Sequence, residues 1–319
     1  MNTIPDKSDI ETSAARIEGH INRTPVFTSG ILNNFTAGNL FLKCENFQKA
    51  GAFKSRGAVN AVLTLSEDEK SRGVCTHSSG NHAAALARAA SLQNVKAYIV
   101  MPENSSRVKI DAVKYYGGEI TFCKPTLEAR ESSLEKIKKQ TGAIEIHPYN
   151  NYRIIAGQAT ATLELLQQIE DKLDFILAPV GGGGLLSGTA LCAEYFSKDV
   201  RVIAAEPKGA DDAYRSFISG TLIPSVNPKT VADGLLTSLG PKTFPIILEH
   251  VDKILTVNEE SIIRAMKFIW ERMKIIIEPS SAVPVAAVFE NKELFSGKNT
   301  AIIISGGNCD LMKLPWLNS

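Results

Sequence analysis

The chain has 319 residues, of which 44% are hydrophobic and 22% are charged, and its formal net charge is +1. This composition is typical of a globular protein with one large or two moderate domains, and the balanced charge argues against nucleic acid or an anionic membrane as a partner. The five cysteines are far apart and form no C-x-x-C pair, so we expect reduced thiols in a cytoplasmic protein. No apolar run is long enough to cross a membrane and residues 1–10 lack the apolar core of a signal peptide, so we expect neither.

Strand-like and helix-like segments alternate along most of the chain. We predict strands over residues 39–45, 73–79, 95–101, 119–123, 143–147, 175–180, 201–206 and 300–305. We predict helices over residues 10–21, 81–92, 105–116, 126–140, 152–169 and 185–196. Such alternation with continuously apolar strands is typical of βαβ units in mostly parallel sheets. The predicted fold class is therefore α/β, with two open parallel-sheet lobes.

The length of the chain suits two packed lobes with a cleft between them. We assign residues 1–72 and 151–319 to a large lobe and residues 73–150 to a small, mobile lobe. Parallel sheets bind ligands at the carboxyl ends of their strands. We therefore expect the functional site in the cleft, where several loops of unusual composition follow predicted strands.

One of these loops contains Lys54, which opens an apolar helical run. The positive end of the helix dipole and burial both disfavour a charged amine there, so we expect the pKa of this lysine to be lowered. A lysine with a lowered pKa can form a Schiff base with a carbonyl group. An ordinary solvated lysine is the alternative if this loop is considered alone.

Four consecutive glycines follow the predicted strand that ends at residue 180: Gly181, Gly182, Gly183 and Gly184. A bare backbone at a helix N-terminus lets several N–H groups converge on one anion. The loop has neither the G-K-[ST] ending of a Walker loop nor the G-x-G-x-x-G spacing of a dinucleotide site. We therefore predict a monophosphate ligand; a tight turn, the alternative, needs fewer glycines.

Three further loops carry polar side chains. Ser78, Ser79, Asn81 and His82 lie between a strand and a helix, where capping explains only one of them; the others suggest a pocket for a carboxylate or a ring hydroxyl. Ser305 follows the last strand and by itself indicates only a turn. Residues 206–212 hold three carboxylates, which suit Mg²⁺ or Ca²⁺, although a solvated acidic loop is an equal alternative.

In chain order, these loops resemble the tryptophan-synthase-β-like (fold type II) family of pyridoxal 5′-phosphate (PLP) enzymes, and within it the serine racemases and the serine/threonine dehydratases. The resemblance covers nearly the whole chain and rests on Phe-Lys-x-Arg-Gly-Ala at 53–58, Ser-Ser-Gly-Asn-His at 78–82, the glycines at 181–184 and Ser-Gly-Gly-Asn at 305–308. It implies an enzyme that interconverts L-serine and D-serine and also eliminates serine to pyruvate and ammonia.

The resemblance implies specific cofactor contacts. They are Phe53, Lys54, Asn81, Gly181, Gly182, Gly183, Gly184, Leu185, Gly234 and Ser305. Lys54 would bind PLP covalently, Asn81 would contact the ring hydroxyl, and Ser305, in place of an acid, would contact the pyridine nitrogen and temper the electron sink. The residues implied to contact the substrate are Ser78, Ser79, Asn81, His82 and Arg130, the last of which would relay closure of the small lobe.

Ser79 separates the activities within this family. Racemisation needs a base on each face of the planar carbanion, and the resemblance implies Lys54 on one face and Ser79 on the other, whereas typical threonine dehydratases often have alanine there. The alternatives are a dehydratase of L-serine, L-threonine or threo-3-hydroxyaspartate without racemisation, and a non-catalytic phosphate- or amino-acid-binding protein. The sequence after Asp310 is too short for the regulatory domain of biosynthetic threonine deaminases, which we expect to be absent.

The resemblance also implies a homodimer, ATP as an activator, and a divalent cation (Mg²⁺, Ca²⁺ or Mn²⁺) held by Glu206, the carbonyl of Ala210 and Asp212. Some positions depart from the family pattern. Ala50 stands where a hydroxyl residue is usual, and Ala84 replaces a glutamine that contacts nucleotide in the relatives. Residues 29–31 read Ser-Gly-Ile rather than Ser-Ser-Ile. These departures argue against ATP activation, whereas the retained Lys49 favours it.

Overall fold

Two β-sheets organise the chain. The computed structural model describes residue 1 and residues 3–317. Its strands are β1 (Val26–Phe27), β2 (Asn39–Cys44), β3 (Val74–His77), β4 (Ala97–Pro102), β5 (Glu119–Cys123), β6 (Ile144–Glu145), β7 (Phe175–Pro179), β8 (Arg201–Pro207), β9 (Lys253–Val257) and β10 (Asn299–Ile304). The larger sheet has the order β1-β2-β10-β7-β8-β9 and the smaller sheet the order β5-β4-β3-β6. All neighbouring strands are parallel except β1, which runs antiparallel to β2 at the edge.

Helices cover both sheets. They are α1 (Lys7–Ile17), α2 (Gly30–Thr36), α3 (Lys54–Leu63), α4 (Glu67–Arg72), α5 (Asn81–Ser91), α6 (Arg107–Tyr115), α7 (Leu127–Thr141), α8 (Tyr152–Gln168), α9 (Gly184–Phe196), α10 (Asp212–Ser219), α11 (Phe244–His250), α12 (Glu259–Met273), α13 (Pro279–Glu290) and α14 (Lys292–Phe295). Short 3₁₀ turns lie at Glu45–Phe47, Lys49–Gly51, Lys208–Ala210, Asp233–Leu235 and Leu311–Lys313. Among the described residues, no helix is both long enough and apolar enough to cross a bilayer.

The inner strands β7, β8 and β10 of the larger sheet are buried on both faces, which explains their continuous apolar sequences. Leu177 of β7 and Ile203 of β8 belong to an apolar cluster that includes α12 and α13. The alternating residues Ile176 and Ala204 belong to a cluster that includes α9. The smaller sheet is covered in the same way by α5 on one side and α7 on the other.

The order of the strands brings the functional loops together. β2, β10 and β7 are neighbours, and their registers pair Ile304 with Cys44 and Ile302 with Leu177. The loops that follow these three strands therefore leave the same edge of the sheet: the loop to Lys54, the loop that starts at Ser305 and the glycine loop. This edge faces the cleft predicted for an open parallel sheet.

The predicted α/β class with two parallel-sheet lobes is confirmed, while some element bounds were wrong. The first helix was predicted over 10–21 but spans Lys7–Ile17, because Asp6 and Asp9 form a capping box that starts it earlier. The strand predicted over 143–147 contains only Ile144–Glu145, and the antiparallel β1 was not predicted. The strands of the smaller sheet lie between residues 74 and 145, and the lobe boundaries at 72/73 and 150/151 remain our assignment; residues 2, 318 and 319 lie outside the described chain.

Candidate active site

Lys54 is the first residue of α3 and points its amine towards the return loop of the small lobe. Its Nζ donates a 2.9 Å hydrogen bond to the carbonyl oxygen of Pro148 and lies 5.0 Å from the centre of the Phe53 ring. Burial lowers the pKa of Lys54 to about 8, while the nearby carboxylate of Glu278 acts in the opposite direction. The free amine is therefore far more available at neutral pH than that of a solvated lysine.

The backbone before Lys54 is tied to the loop after β10. The N–H of Phe53 donates to the carbonyl of Ser305 at 3.0 Å, and Ala52 forms an isolated β-bridge with Gly306. Gly51 has a φ of 68°, which a residue with a side chain rarely adopts. These links place Lys54, Phe53 and Ser305 in one site, as the sequence implied.

Asn81, the first residue of α5, is held by two polar side chains of the large lobe. Its Nδ2 donates to Glu278 Oε1 at 2.8 Å, and its Oδ1 accepts from Asn308 Nδ2 at 3.0 Å. Glu278 is buried, and its Oε2 has no hydrogen-bond partner among the described residues. Burial raises the pKa of Glu278 to about 7, against the positive charge of Lys109. Asn81 is thus fixed in orientation by residues that bridge the two lobes.

Ser305 lies at the carboxyl end of β10 and is buried. Its hydroxyl is 2.9 Å from the hydroxyl of Ser281 in α13. Ser281 also bonds the N–H and the carbonyl of Gly306, both at 2.7 Å. A Cβ at Gly306 would lie only 2.6 Å from Glu278 Oε1. Two hydroxyls and a compact glycine turn therefore form this side of the site.

The glycine loop accepts no side chains. A Cβ at Gly182 would overlap the ring of Tyr149, and one at Gly183 would lie 2.8 Å from Ile247. Gly183 also has a φ of 86°. Within residues 3–317, the N–H groups of Gly181, Gly182 and Gly183 find no protein acceptor. They precede the buried first turn of α9, which includes Leu185, and so are suited to an anion at a helix N-terminus.

Gly234 closes the glycine loop from the other side. Its carbonyl oxygen lies 3.5 Å from the position of a Cβ on Gly181, and its N–H donates to Ser280 Oγ at 3.0 Å. Tyr149 packs against the loop as well. The structure therefore brings Gly234, which belongs to a separate 3₁₀ turn, to the loop that the sequence implied.

Ser79, in the loop after β3, is exposed to solvent. Ser78 is half-buried, and its Oγ accepts a weak 3.4 Å bond from Gly80 N–H. His82 is instead buried in α5: its Nε2 donates to the carbonyl of Ile146 at 2.8 Å, and its Nδ1 has no partner in the described part of the chain. Burial lowers the pKa of His82 to about 3. Ser79 is thus free to act on a ligand, whereas His82 is a neutral residue beneath the loop.

Arg130 lies in the first turn of α7. Its Nε is buried, and no described residue accepts a hydrogen bond from it. Burial lowers the pKa of His77, and the positive charge of Arg130 lowers this pKa further. The ring of His77 packs on His147 and that of His147 on Tyr149, with ring centres 6.2 and 4.6 Å apart. Arg130 therefore stands near an aromatic row that ends at the glycine loop.

The predicted cation site lies at the carboxyl end of β8, the strand next to β7 in the larger sheet. Glu206 accepts from the N–H groups of Ala213 at 2.9 Å and Tyr214 at 2.8 Å, so it caps α10. Asp212 Oδ2 is buried without a partner among the described residues. Burial raises the pKa of Glu206 to about 8 and that of Asp212 to about 6. No cluster of three His, Cys, Asp or Glu side chains occurs in the described residues, so a cation here would also need the Ala210 carbonyl and water.

The site fits PLP, the cofactor implied by the sequence resemblance. The glycine loop offers unpaired N–H groups to a phosphate in a space that side chains would fill. Lys54 offers a largely buried amine of lowered pKa for covalent attachment. The sequence did not reveal Glu278, Ser281, Pro148 or Tyr149; the one local signal was the polar start of α13, which reads as an ordinary helix N-terminus.

Comparison with known proteins agrees with this geometry. The family model described as pyridoxal-phosphate dependent enzyme matches residues 17–306. A serine racemase of Dictyostelium discoideum is 51% identical over 310 residues, which are 96% of this chain and 95% of the relative. A β-hydroxyaspartate dehydratase of Paracoccus denitrificans is 49% identical over 313 residues, 98% of this chain and 99% of the relative. The solved structure of maize serine racemase has a TM-score of 0.95 at 43% identity and covers 97% of this chain and 95% of that chain.

These similarities extend over nearly the full length of the chain and confirm the predicted resemblance to fold type II enzymes. The role assigned to each site residue remains a prediction. The chain belongs to the pyridoxal-phosphate dependent enzyme family.

Proposed function

We propose that this protein is a PLP-dependent serine racemase that interconverts L-serine and D-serine and also eliminates serine to pyruvate and ammonia. The observation that carries the proposal is the presence of two proton-carrying side chains on loops that follow parallel strands of the two sheets. Lys54 starts the helix that follows β2 of the larger sheet, and Ser79 is exposed in the loop after β3 of the smaller sheet. Relatives named serine racemase at 43–51% identity support the choice of reaction.

When bound, PLP stabilises the electron pair that is left on the substrate Cα after its proton departs. In racemisation, Lys54 removes the Cα proton of L-serine and Ser79 returns a proton to the opposite face, so no atom is gained or lost. The pKa of about 8 keeps a useful fraction of the Lys54 amine neutral near physiological pH. In elimination, the β-hydroxyl leaves with a proton as water, and subsequent hydrolysis yields pyruvate and ammonia.

Ser79→Ala tests the assignment of two bases. We expect the variant to lose D-serine formation by ~10²–10⁴-fold, as for loss of a general acid–base group, while Cα-proton exchange of L-serine in D₂O continues through Lys54. Ser79→Thr, which keeps the hydroxyl, is the matched control. Unchanged racemisation by Ser79→Ala would exclude Ser79 as the second base.

A dehydratase of threo-3-hydroxyaspartate is the second candidate. The buried, unpaired Nε of Arg130 favours it, because a second substrate carboxylate would give this guanidinium an acceptor. A relative named β-hydroxyaspartate dehydratase is 49% identical to the chain. A kcat/KM for threo-3-hydroxyaspartate well above that for L-serine, with a large loss in Arg130→Met for the diacid alone, would select this function.

We further propose a divalent cation, Mg²⁺ first, at Glu206, the Ala210 carbonyl and Asp212. Support comes from two buried carboxyl groups, one of them with an unpaired oxygen. Titration calorimetry with Mg²⁺, Ca²⁺ and Mn²⁺ on wild type and Asp212→Asn tests this site. Equal cation binding by the variant would refute it.

We also propose a homodimer in the cytoplasm. The rings of Phe27 and Phe47 are 37% and 43% exposed and contact each other edge to face, beside the loop that leads to Lys54. All five cysteines are free, which suits a reducing compartment.

The cavity beside Ala84 does not favour ATP activation, because its volume is only about 10 Å³, room for about one water. Light scattering and assays with and without ATP test these points.

A further inference from the structure

Arg56, two residues after Lys54, uses every one of its hydrogen-bond donors inside the protein. Its side chain is fully buried. Its Nε and Nη2 donate to the two oxygens of Glu45 at 2.7 and 2.8 Å, and its Nη1 and Nη2 donate to the two oxygens of Glu164 at 2.8 and 2.9 Å. Nη1 also donates to Thr160 Oγ1 at 3.3 Å. The five N–H groups of a guanidinium are thereby all engaged.

The acceptors of Arg56 come from two separate elements and are themselves held. Glu45 follows β2, and its Oε1 accepts from Thr24 Oγ1 at 2.6 Å. Glu164 lies on α8 and accepts from Lys43 Nζ at 2.8 Å. Lys43 is fully buried as well. Two positive and two negative side chains therefore form a closed, charge-balanced cluster between β2, α3 and α8.

The first turn of α3 has no side-chain cap at its N-terminus. Its N-cap residue, Phe53, makes no side-chain capping bond. Beyond Arg56 the helix meets α8 without room for adjustment: a Cβ on Gly157 would lie 2.6 Å from Gly57 Cα. The guanidinium and this close helix contact hold α3 against α8, whereas the Phe53–Ser305 hydrogen bond and the Ala52–Gly306 bridge hold the backbone just before it. Lys54, the first residue of α3, lies between these two sets of contacts.

Stability alone does not explain such a cluster. Taking charges out of water offsets most of their attraction, and apolar residues of similar volume often stabilise a fold equally well. The guanidinium of Arg56 also fixes an orientation, because two carboxylates that each accept two hydrogen bonds from a planar group hold it in one position. A lysine at this position would keep the charge and lose that geometry.

We propose that Arg56 is the positioning residue for Lys54: it clamps the start of α3 to Glu45 and Glu164, so that the Lys54 amine is held beside the Pro148 carbonyl in the cleft. The inference rests on the role of Lys54 in the proposed function. Arg56 itself does not touch the reacting atoms, since all its donors face away into the buried cluster.

The test compares three variants of the PLP-loaded protein. Arg56→Lys keeps the charge but not the fork, and Glu164→Gln replaces one carboxylate by an amide. Leu163→Ala is the control; it opens a cavity on the same helix α8, in an apolar cluster with Ile10 and Leu191 that is separate from the charged one. For each we would measure the pH titration and circular dichroism of the visible band of lysine-bound PLP, kcat and KM, and the unfolding free energy.

We expect Arg56→Lys to shift the pH midpoint of the visible band, to weaken its circular dichroism and to lower kcat by ~10–100-fold with little change in KM, because small misplacement of a reacting group is costly. Glu164→Gln should show the same changes to a smaller extent, and it decides the matter by the same criteria if Arg56→Lys does not fold. Leu163→Ala should lose stability only.

Two results separate the possible failures. If Arg56→Lys and Glu164→Gln lose stability as Leu163→Ala does, with an unchanged band titration and unchanged kcat, the cluster is purely structural and the inference is wrong. If wild type binds PLP with a visible band but acts on no amino acid, the proposed function fails, whereas the band titration still decides on Arg56.

Discussion

Lys54 Nζ donates a 2.9 Å hydrogen bond to the carbonyl of Pro148, a residue 94 positions further along the chain. Pro148 lies in the loop that returns from the smaller sheet to α8, while Lys54 begins the helix that follows β2 of the larger sheet. His147 shapes this loop, since its Nδ1 accepts from Asn150 N–H at 3.0 Å. The amine is thus placed where the two lobes meet.

Lys54→Met in cofactor-free protein should be more stable than wild type at neutral pH. Burial lowers the pKa of Lys54 to about 8, so the folded state binds this proton less tightly than the unfolded state, where the pKa is about 10.4. The lysine therefore destabilises the fold below about pH 8, and the penalty disappears as the pH rises through about 10. We expect a gain of ~1–3 kcal/mol near pH 7 that shrinks towards pH 10, from urea unfolding; a constant difference would contradict the lowered pKa.

Glu278→Gln should lower the pKa of the Lys54 amine further. The ionised carboxylate of Glu278 favours the charged lysine, and the amide removes that attraction while its oxygen still accepts from Asn81. The rate at which cofactor-free protein attaches PLP, followed against pH, should therefore rise at lower pH than in wild type. Glu293→Gln, which removes the same charge at an exposed position, should not change the pH profile of PLP attachment. If the two variants have identical pH profiles, Glu278 does not influence the Lys54 amine.

Gly182→Ala should lose both stability and cofactor affinity. The new methyl group would overlap the ring of Tyr149, and such overpacking costs ~1–3 kcal/mol. Displacement of Tyr149 would also disturb the N–H groups offered to the phosphate, so the Kd for PLP should rise. Gly30→Ala is the matched control, because a Cβ there meets nothing within 4 Å. Equal PLP affinity in the two variants would argue against the glycine loop as the phosphate site.

The difference in unfolding free energy between wild type and His82→Asn should become smaller as the pH falls. Burial lowers the pKa of His82 to about 3, so the folded state keeps the ring neutral while the unfolded chain takes up a proton below about pH 6.5. Wild type therefore loses ~1.4 kcal/mol per pH unit through this group between about pH 6 and 4, and the variant does not. Urea unfolding of both proteins across this range measures the difference in unfolding free energy. Parallel curves of unfolding free energy against pH would show that His82 binds its proton as readily in the folded as in the unfolded chain, which would contradict the lowered pKa.

The loops of the site could be predicted because each joins a strand to a helix within a short segment. Each also contains residues that a simple turn does not require. The glycine run, the lysine at a helix start and the serine-rich loop after β3 all carry their signal within a few neighbours in sequence. The order of strands then brings the lysine loop, the glycine loop and the loop after β10 to one edge of the larger sheet. The alternation of strands and helices predicted parallel sheets but not that order.

The partners of these loops could not be predicted in the same way. Glu278 and Ser281 come from the start of α13, which reads as an ordinary apolar helix. Glu278 reaches Asn81 only through the packing of the two lobes, and Ser281 reaches Ser305 only through the packing of α13 on β10. Arg56 was visible as part of a motif, but its acceptor Glu164 lies 108 residues away. Sequence spacing carries no information about such contacts.

The most direct test of the proposed function uses purified, PLP-loaded protein with Mg²⁺. It would be incubated with L-serine, and D-serine, by chiral chromatography, and pyruvate would be quantified in the same tube, with Lys54→Ala as the inactive control. We predict D-serine as a major product together with pyruvate, and neither product from the control. Pyruvate without D-serine would contradict racemisation and leave a dehydratase, and the absence of both products from wild type would contradict an enzyme acting on serine.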